Sequence, residues 1–158
     1  MSLHRYEVVR WAGAPRSVVF AVLADGEGWS AWAPTIGRSS YERPGTHSPH
    51  GVGAVRCFGA AVGPVSREEV VGYDEPCSLS YETRSGGLPM RGYRAEVALH
   101  PTSGGTRIVW RGSWASRLPG VTTALGWLVR GFADGLVRES EARVAGRRRA
   151  AHDGVLNP

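Results

Sequence analysis

The feature that most constrains the fold is a change of hydrophobic period near residue 117. Between residues 35 and 116, apolar and polar residues alternate, as in an antiparallel sheet with one wet and one covered face. From Pro119 onward, apolar residues recur at steps of three and four, which is typical of an amphipathic helix. Consecutive strands followed by a helix favour an α+β architecture over alternating βαβ units.

Turn-forming residues divide the alternating region into strands. The strands are predicted at Tyr6–Trp11, 35–41, 53–59, 65–73, 78–84, 91–100 and 106–115, with two short helices at 17–24 and 28–32. The alternation is clearest near the end of the region, where Tyr93, Ala95, Val97 and Leu99 share one face. We therefore expect a curved antiparallel sheet of seven strands.

The segment from 119 to about 146 is predicted to form one long helix. Its apolar stripe consists of Leu118, Val121, Leu125, Leu128, Phe132 and Leu136. A sheet that curls around one helix tends to leave a cavity on its concave face, and such cavities are the default ligand sites. A chain of 158 residues fits one core, so we expect a single domain at 1–149 and a flexible tail at 150–158.

Composition argues against several other classes of protein. The net charge of +5 comes from arginine alone, and the only basic run, 147–149, is interpreted as a solvated helix end. A phosphate-binding patch is the alternative, but no nucleic-acid partner is expected. No stretch reaches the roughly 20 apolar residues of a membrane span, nor does an apolar segment of signal-peptide length follow Met1. A cytoplasmic monomer or homodimer is the expectation.

Few residues form a motif for metal or cofactor chemistry. His47 and His50 have no third ligand nearby in the sequence, so no metal site is expected. Cys57 and Cys77 are too few for a disulfide scaffold. No serine lies in a GxSxG motif, which argues against a hydrolase triad, and Gly51-Val-Gly53 is too short for a dinucleotide fingerprint. No cofactor is predicted.

The order of several short motifs resembles the START-like superfamily, also called SRPBCC or the birch-pollen-allergen fold. The motifs are YEVVRWAGAP at 6–15, VVFAVLAD at 18–25, WSAWAP at 29–34, GVGAVR at 51–56, EVVGYDEP at 69–76, LSY at 79–81 and GTRIVW at 105–110. The resemblance is closest to the polyketide cyclase/dehydrase and lipid-transport group and covers about residues 4–145. It implies a helix-grip fold, in which a seven-stranded antiparallel sheet grips a long C-terminal helix.

The same resemblance implies a deep hydrophobic cavity for a lipid or a polyketide. Some relatives are aromatase/cyclases, whereas many bind a ligand without a known reaction, so the family determines the fold better than the activity. We expect binding of a hydrophobic small molecule. The alternatives are an aromatase/cyclase acting on a polyketide intermediate, and a protein-interaction role without a small-molecule ligand.

Arg56 and Glu69 are the predicted polar pair of this cavity. They lie on adjacent predicted strands. Glu69 is two residues from Val71 and four from Tyr73, so the three side chains would share one face of a regular strand. Two interpretations remain open. A buried pair would anchor a ketone, enolate or carboxylate, as an interior arginine does in similar cyclases; an exposed pair would be only a weak cross-strand salt bridge.

Aromatic and helix residues complete the predicted ligand site. Large aromatic side chains offer area, and those of Tyr and Trp also offer a polar group, although plain core packing is the more common explanation for any one of them. The predicted ligand-binding residues are Trp32, Arg56, Glu69, Tyr81, Tyr93, Trp110, Leu125, Leu128 and Phe132, with Trp114 and Trp127 as further candidate walls. No catalytic residue is assigned.

Overall fold

The computed structural model describes residues 2–155. Seven strands and three helices are present in this part of the chain. In chain order they are β1 (Ser2–Ala12), α1 (Arg16–Ala24), α2 (Trp29–Trp32), β2 (Arg38–Arg43), β3 (Val55–Gly59), β4 (Val65–Asp74), β5 (Ser78–Ser85), β6 (Arg91–Thr102), β7 (Gly105–Ser116) and α3 (Val121–Val155).

The strands form one curved antiparallel sheet in the order β1-β7-β6-β5-β4-β3-β2. Consecutive strands from β2 to β7 are neighbours, and β1 closes against β7 along its whole length. The α+β architecture predicted from the change of period is confirmed, with the sheet wrapped around α3. The inner face of β6 is also confirmed, since Tyr93, Ala95, Val97 and Leu99 are all buried.

Several predicted boundaries differ from the structure; β1, for example, begins at Ser2 instead of Tyr6. Strand β2 begins at Arg38, three residues after the predicted start, because Thr35 has a φ of 70° and does not adopt extended backbone. Helix α3 continues to Val155, beyond the predicted end near residue 146. Flexibility of the segment 150–158 stays a prediction, and residues 156–158 of it lie outside the described residues.

A β-bulge in β4 decides which of its side chains face α3. Val70 pairs with Tyr81 and Gly72 pairs with Ser80, so Val71 is an extra residue in the ladder. Glu68 and Val70 therefore face inward before the bulge, whereas Tyr73 contacts the core after it. Before the bulge the inward-facing residues have even numbers, such as Glu68 and Val70, and after it they have odd numbers, such as Tyr73.

Helix α3 is held to the sheet at several points. Asp134 accepts a hydrogen bond from Arg10 Nε at 2.6 Å, and Glu141 accepts one from the backbone N–H of Gly13 at 2.8 Å. Gly135 lies so close to α2 that an added Cβ would be 2.7 Å from the carbonyl oxygen of Trp32. Among residues 2–155, no helix has the length and apolar character needed to cross a membrane.

Candidate functional site

A cavity of about 280 Å³ separates α3 from the inner faces of β3, β4, β5 and β6. Its volume lies just below the range of about 300–1,000 Å³ that is usual for ligand pockets. Helix α3 contributes Leu125, Leu128, Val129 and Phe132 to its lining. The loops that border the cavity contribute Thr35, Ile36, Ala60, Pro64, Gly86, Gly87, Leu88 and Met90.

The walls of the cavity differ in polarity. The helix wall is wholly aliphatic or aromatic, and Trp29 and Phe58 extend this apolar surface. The sheet wall carries the polar side chains Ser66, Glu68, Tyr81, Thr83 and Tyr93. Glu68 and Thr83 are directly opposite each other in the β4–β5 ladder. A bound molecule would therefore meet an apolar face on one side and a hydrogen-bonding strip on the other.

Arg56 lies behind this strip, enclosed by aromatic rings. Its side chain is completely buried, and its Cζ lies 4.9 Å from the ring centroid of Tyr81 and 5.1 Å from those of Trp29 and Phe58. Its Nε and Nη1 have no hydrogen-bond partner in the described part of the chain. Desolvated cation–π contacts are worth about 2 kcal/mol each, so the rings offset part of the cost of burying this cation.

The small residue Gly26 makes room for the Arg56 side chain. A Cβ at position 26 would lie 2.9 Å from Arg56 Cδ and 2.9 Å from Tyr41 Oη. The Gly26 N–H donates to Tyr41 Oη at 2.9 Å, and the same hydroxyl lies 2.6 Å from His50 Nδ1. The loop before α2 and the loop after β2 are thus joined beside the buried cation.

Glu68 is the carboxylate that pairs with Arg56. Its Oε2 accepts from Arg56 Nη2 at 3.1 Å, and its side chain is 15% exposed. Burial raises the pKa of the Glu68 carboxyl, and the neighbouring Arg56 guanidinium opposes that shift. Unlike Arg56, Glu68 reaches the cavity surface, so it is the charged member of the pair that a ligand can contact.

Three tyrosine hydroxyls form a cluster near the carboxylate. The Tyr6 and Tyr93 hydroxyl oxygens are 2.7 Å apart, and Trp110 Nε1 donates to Tyr81 Oη at 3.1 Å. Burial raises the pKa of Tyr6, Tyr81 and Tyr93 well above the ordinary value for a phenol. These hydroxyls therefore stay protonated at neutral pH and can donate hydrogen bonds.

The structure brings together five of the nine residues predicted for the ligand site. Tyr81, Tyr93, Leu125, Leu128 and Phe132 all line the cavity. Their role in ligand binding stays a prediction, because four of them, all except Leu128, also pack in or against the core.

Four predicted residues do not line the cavity: Trp32, Arg56, Glu69 and Trp110. Trp110 is fully buried and packs behind Trp29 and Phe132, with ring centroids 6.0 and 6.4 Å away. Trp32 packs on Trp29 at 4.8 Å. Of the further candidate walls, Trp114 is buried beside Tyr6, and Trp127 is 64% exposed on α3.

The predicted pairing of Arg56 with Glu69 is wrong. Glu69 accepts from Arg84 Nε at 2.8 Å and lies 3.8 Å from Arg43 Nη2, whereas Arg56 pairs with Glu68. The error arises at the bulge in β4. Counting by twos from Tyr73 leads to Glu69, but the extra residue moves the inner face to Glu68.

Sequence reasoning thus missed Glu68, Trp29 and Phe58. The sequence did hold a signal for Glu68, since it is two residues from the apolar Val70, and the two share a strand face in the structure. Trp29 lies within the WSAWAP motif at 29–34, but nothing in the sequence marks it as a site residue. Among residues 2–155, no cluster of three or more His, Cys, Asp or Glu side chains is suited to hold a metal ion.

A known protein family matches most of this chain. The sequence profile of the family described as "polyketide cyclase / dehydrase and lipid transport" matches residues 4–145. The chain belongs to that family. No curated protein matches the chain.

Several solved structures share the architecture. Ara h 8.0201 superposes with a TM-score of 0.69 at 18% identity, over 92% of this chain and 99% of that one. A protein from Nitrosospira multiformis gives 0.69 at 22% identity, over 90% and 99% of the two chains. A protein from Chromobacterium violaceum gives 0.64 at 18% identity, over 87% and 96%. At these identities the likeness establishes the helix-grip fold alone.

Proposed function

We propose that this member of the polyketide cyclase / dehydrase and lipid-transport family binds a small hydrophobic molecule in the cavity between the sheet and α3. One observation carries the proposal: the cavity has an apolar wall of four helix residues facing a polar strip on the sheet. Such a combination of mostly apolar lining and a few convergent polar groups is typical of ligand sites. The family membership supports the same conclusion.

The volume limits the size of the ligand. About 280 Å³ suits a molecule of two or three fused rings or a short acyl chain better than a sterol or a long-chain lipid. Rings of Trp29, Phe58 and Phe132 border the space and offer faces and edges for stacking. A flat ring system therefore fits the lining better than a flexible chain does.

A substitution that fills the cavity tests this proposal. Leu128→Trp places a larger side chain at a lining position of α3, and Ala124→Trp introduces the same tryptophan side chain at an exposed position that does not line the cavity. Isothermal titration with 2-naphthol should show at least about tenfold weaker binding for Leu128→Trp and little change for Ala124→Trp. Equal affinity in the two variants would show that the probe binds elsewhere.

A second candidate function is cyclisation or dehydration of a polyketide. It is favoured by the presence of the Glu68 carboxylate and the Tyr81 and Tyr93 hydroxyls in one cavity. Burial raises the Glu68 pKa, which makes the carboxylate a better general base near neutral pH. In such a step Glu68 would take a proton from the carbon next to a ketone, and a tyrosine hydroxyl would hydrogen-bond the enolate oxygen.

Proton exchange measures that reaction without the natural substrate. Acetylacetone in D₂O, followed by proton NMR at substoichiometric protein, should exchange its central protons faster with the native chain than with Glu68→Gln. The variant Glu69→Gln, one residue away on the outer face, is the matched control. Equal rates in all three samples would remove the catalytic candidate and leave the binding proposal standing.

A further inference from the structure

We propose that the cavity selects neutral ring compounds that carry a hydroxyl donor, such as a phenol or an enol, and rejects carboxylates. The proposal rests on the binding function proposed above and names the ligand class for that site. The acceptor for the ligand hydroxyl is the carboxylate of Glu68. This selectivity is opposite to that of a site in which an interior arginine captures an anion.

The pairing with Arg56 fixes the charge of Glu68. An arginine stays protonated in proteins, and Arg56 is fully enclosed. Glu68 is the only carboxylate within ion-pair distance of it among residues 2–155. A neutral Glu68 would leave a buried cation without a counter-charge, which is strongly unfavourable. The carboxylate at the cavity surface is therefore negatively charged.

Arg56 cannot serve a ligand anion directly. It is absent from the cavity surface, and the rings of Trp29, Phe58 and Tyr81, which do reach that surface, enclose its guanidinium. Within the described part of the chain, the cavity lining contains no Lys, Arg or His. A ligand carboxylate beside Glu68 would thus meet a negative charge with no cation at the cavity surface, and like charges a few ångströms apart repel each other.

A ligand hydroxyl, by contrast, finds both of its partners. Its hydrogen can be donated to Glu68, a charge-assisted bond that is stronger than one between neutral groups. Its oxygen can accept from a protonated hydroxyl on the same wall, such as that of Thr83, which is opposite Glu68 in the ladder, or Tyr93. The apolar faces of the ring then lie between the helix wall and the aromatic side chains.

Three probes of the same ring system test the selectivity: 2-naphthol, 2-methoxynaphthalene and 2-naphthoate. At pH 7.5, isothermal titration or displacement of a fluorescent naphthol should give at least about tenfold tighter binding of 2-naphthol than of its methyl ether, which keeps the oxygen and loses the donor. The carboxylate 2-naphthoate should bind more weakly than both. This order supports the proposal.

Other orders of affinity among the three probes contradict the proposal, and each identifies a different failure. If 2-naphthoate binds as tightly as 2-naphthol and loses affinity in Leu128→Trp, the cavity binds ligands but the selectivity is wrong. If 2-naphthol and its methyl ether bind equally, Glu68 does not accept the ligand hydroxyl, and the proposal also fails. If none of the probes binds, both this proposal and the binding function fail.

Variants identify the responsible carboxylate. Glu68→Gln should reduce the preference for 2-naphthol over the methyl ether to less than about threefold, and Glu69→Gln should leave it unchanged. Since Glu68→Gln leaves Arg56 unpaired and can fail to fold, Arg56→Met/Glu68→Gln removes both charges together. This double variant, with its fold checked by circular dichroism, should lose the discrimination against 2-naphthoate; retained discrimination would overturn the proposal.

Discussion

The two faces of the sheet use the same ion-pair chemistry in opposite surroundings. On the outer face, Glu69 pairs with Arg84 at 2.8 Å, and the Arg84 side chain is 49% exposed. On the inner face, the preceding residue Glu68 pairs with Arg56 at 3.1 Å, and the Arg56 side chain is wholly buried. The geometry of the two pairs is similar, whereas the solvent around them differs greatly.

The difference shows that a distance alone does not measure the importance of an ion pair. Water and salt screen the outer pair, and its members remain hydrated if the contact breaks. Arg56 has no such alternative, because aromatic rings occupy its surroundings. Arg56 therefore needs the inner pair in order to be buried, whereas the outer pair contributes little to the stability of the fold.

The largest expected effect comes from removing one charge of the inner pair. Glu68→Gln should lower the free energy of unfolding by about 3–5 kcal/mol, because it leaves the Arg56 cation buried without a partner. Glu69→Gln should cause a much smaller loss. Urea denaturation followed by tryptophan fluorescence measures both, and similar losses in the two variants would contradict the contrast between the faces.

Removing both inner charges separates the effect of an unpaired charge from the effect of side-chain packing. Arg56→Met/Glu68→Gln should be more stable than Glu68→Gln alone, because no unpaired charge stays in the interior. If the double variant were the less stable of the two, the loss would come from packing around the Arg56 side chain instead of from its charge.

Salt should have the smallest effect and should act on the outer face only. In 1 M NaCl the Debye length falls to about 3 Å, so a double-mutant cycle on Glu69 and Arg84 should show almost no remaining coupling. The corresponding cycle on Arg56 and Glu68 should keep most of its coupling, since ions do not enter the enclosed site. Equal salt sensitivity would show that Arg56 is accessible to solvent.

Much of the fold could be predicted from the sequence because its signals are local. The inner face of β6 follows from alternation along the strand, since Tyr93, Ala95, Val97 and Leu99 are all buried as their spacing predicts. The helical stripe of α3 placed Leu125, Leu128 and Phe132 toward the sheet, where they line the cavity. Each of these patterns repeats within a few residues and needs no knowledge of distant partners.

The charged centre of the candidate site could not be predicted in the same way. Its identity depends on the extra residue Val71 in the β4–β5 ladder, which reverses the relation between parity and sheet face. A bulge is a property of two paired strands, and counting along one strand points to Glu68 from Val70 but to Glu69 from Tyr73, without deciding between them. The enclosure of Arg56 likewise requires Trp29, Phe58 and Tyr81 to converge from three elements.

The strands, the long helix and the family follow from the sequence, because hydrophobic period and motif order can be read along the chain. That Glu68, and not Glu69, is the carboxylate facing the cavity follows from the packing of the folded chain. The physical reason is that strand register places a side chain in water or in the core, and one inserted residue exchanges those two environments for every residue beyond it.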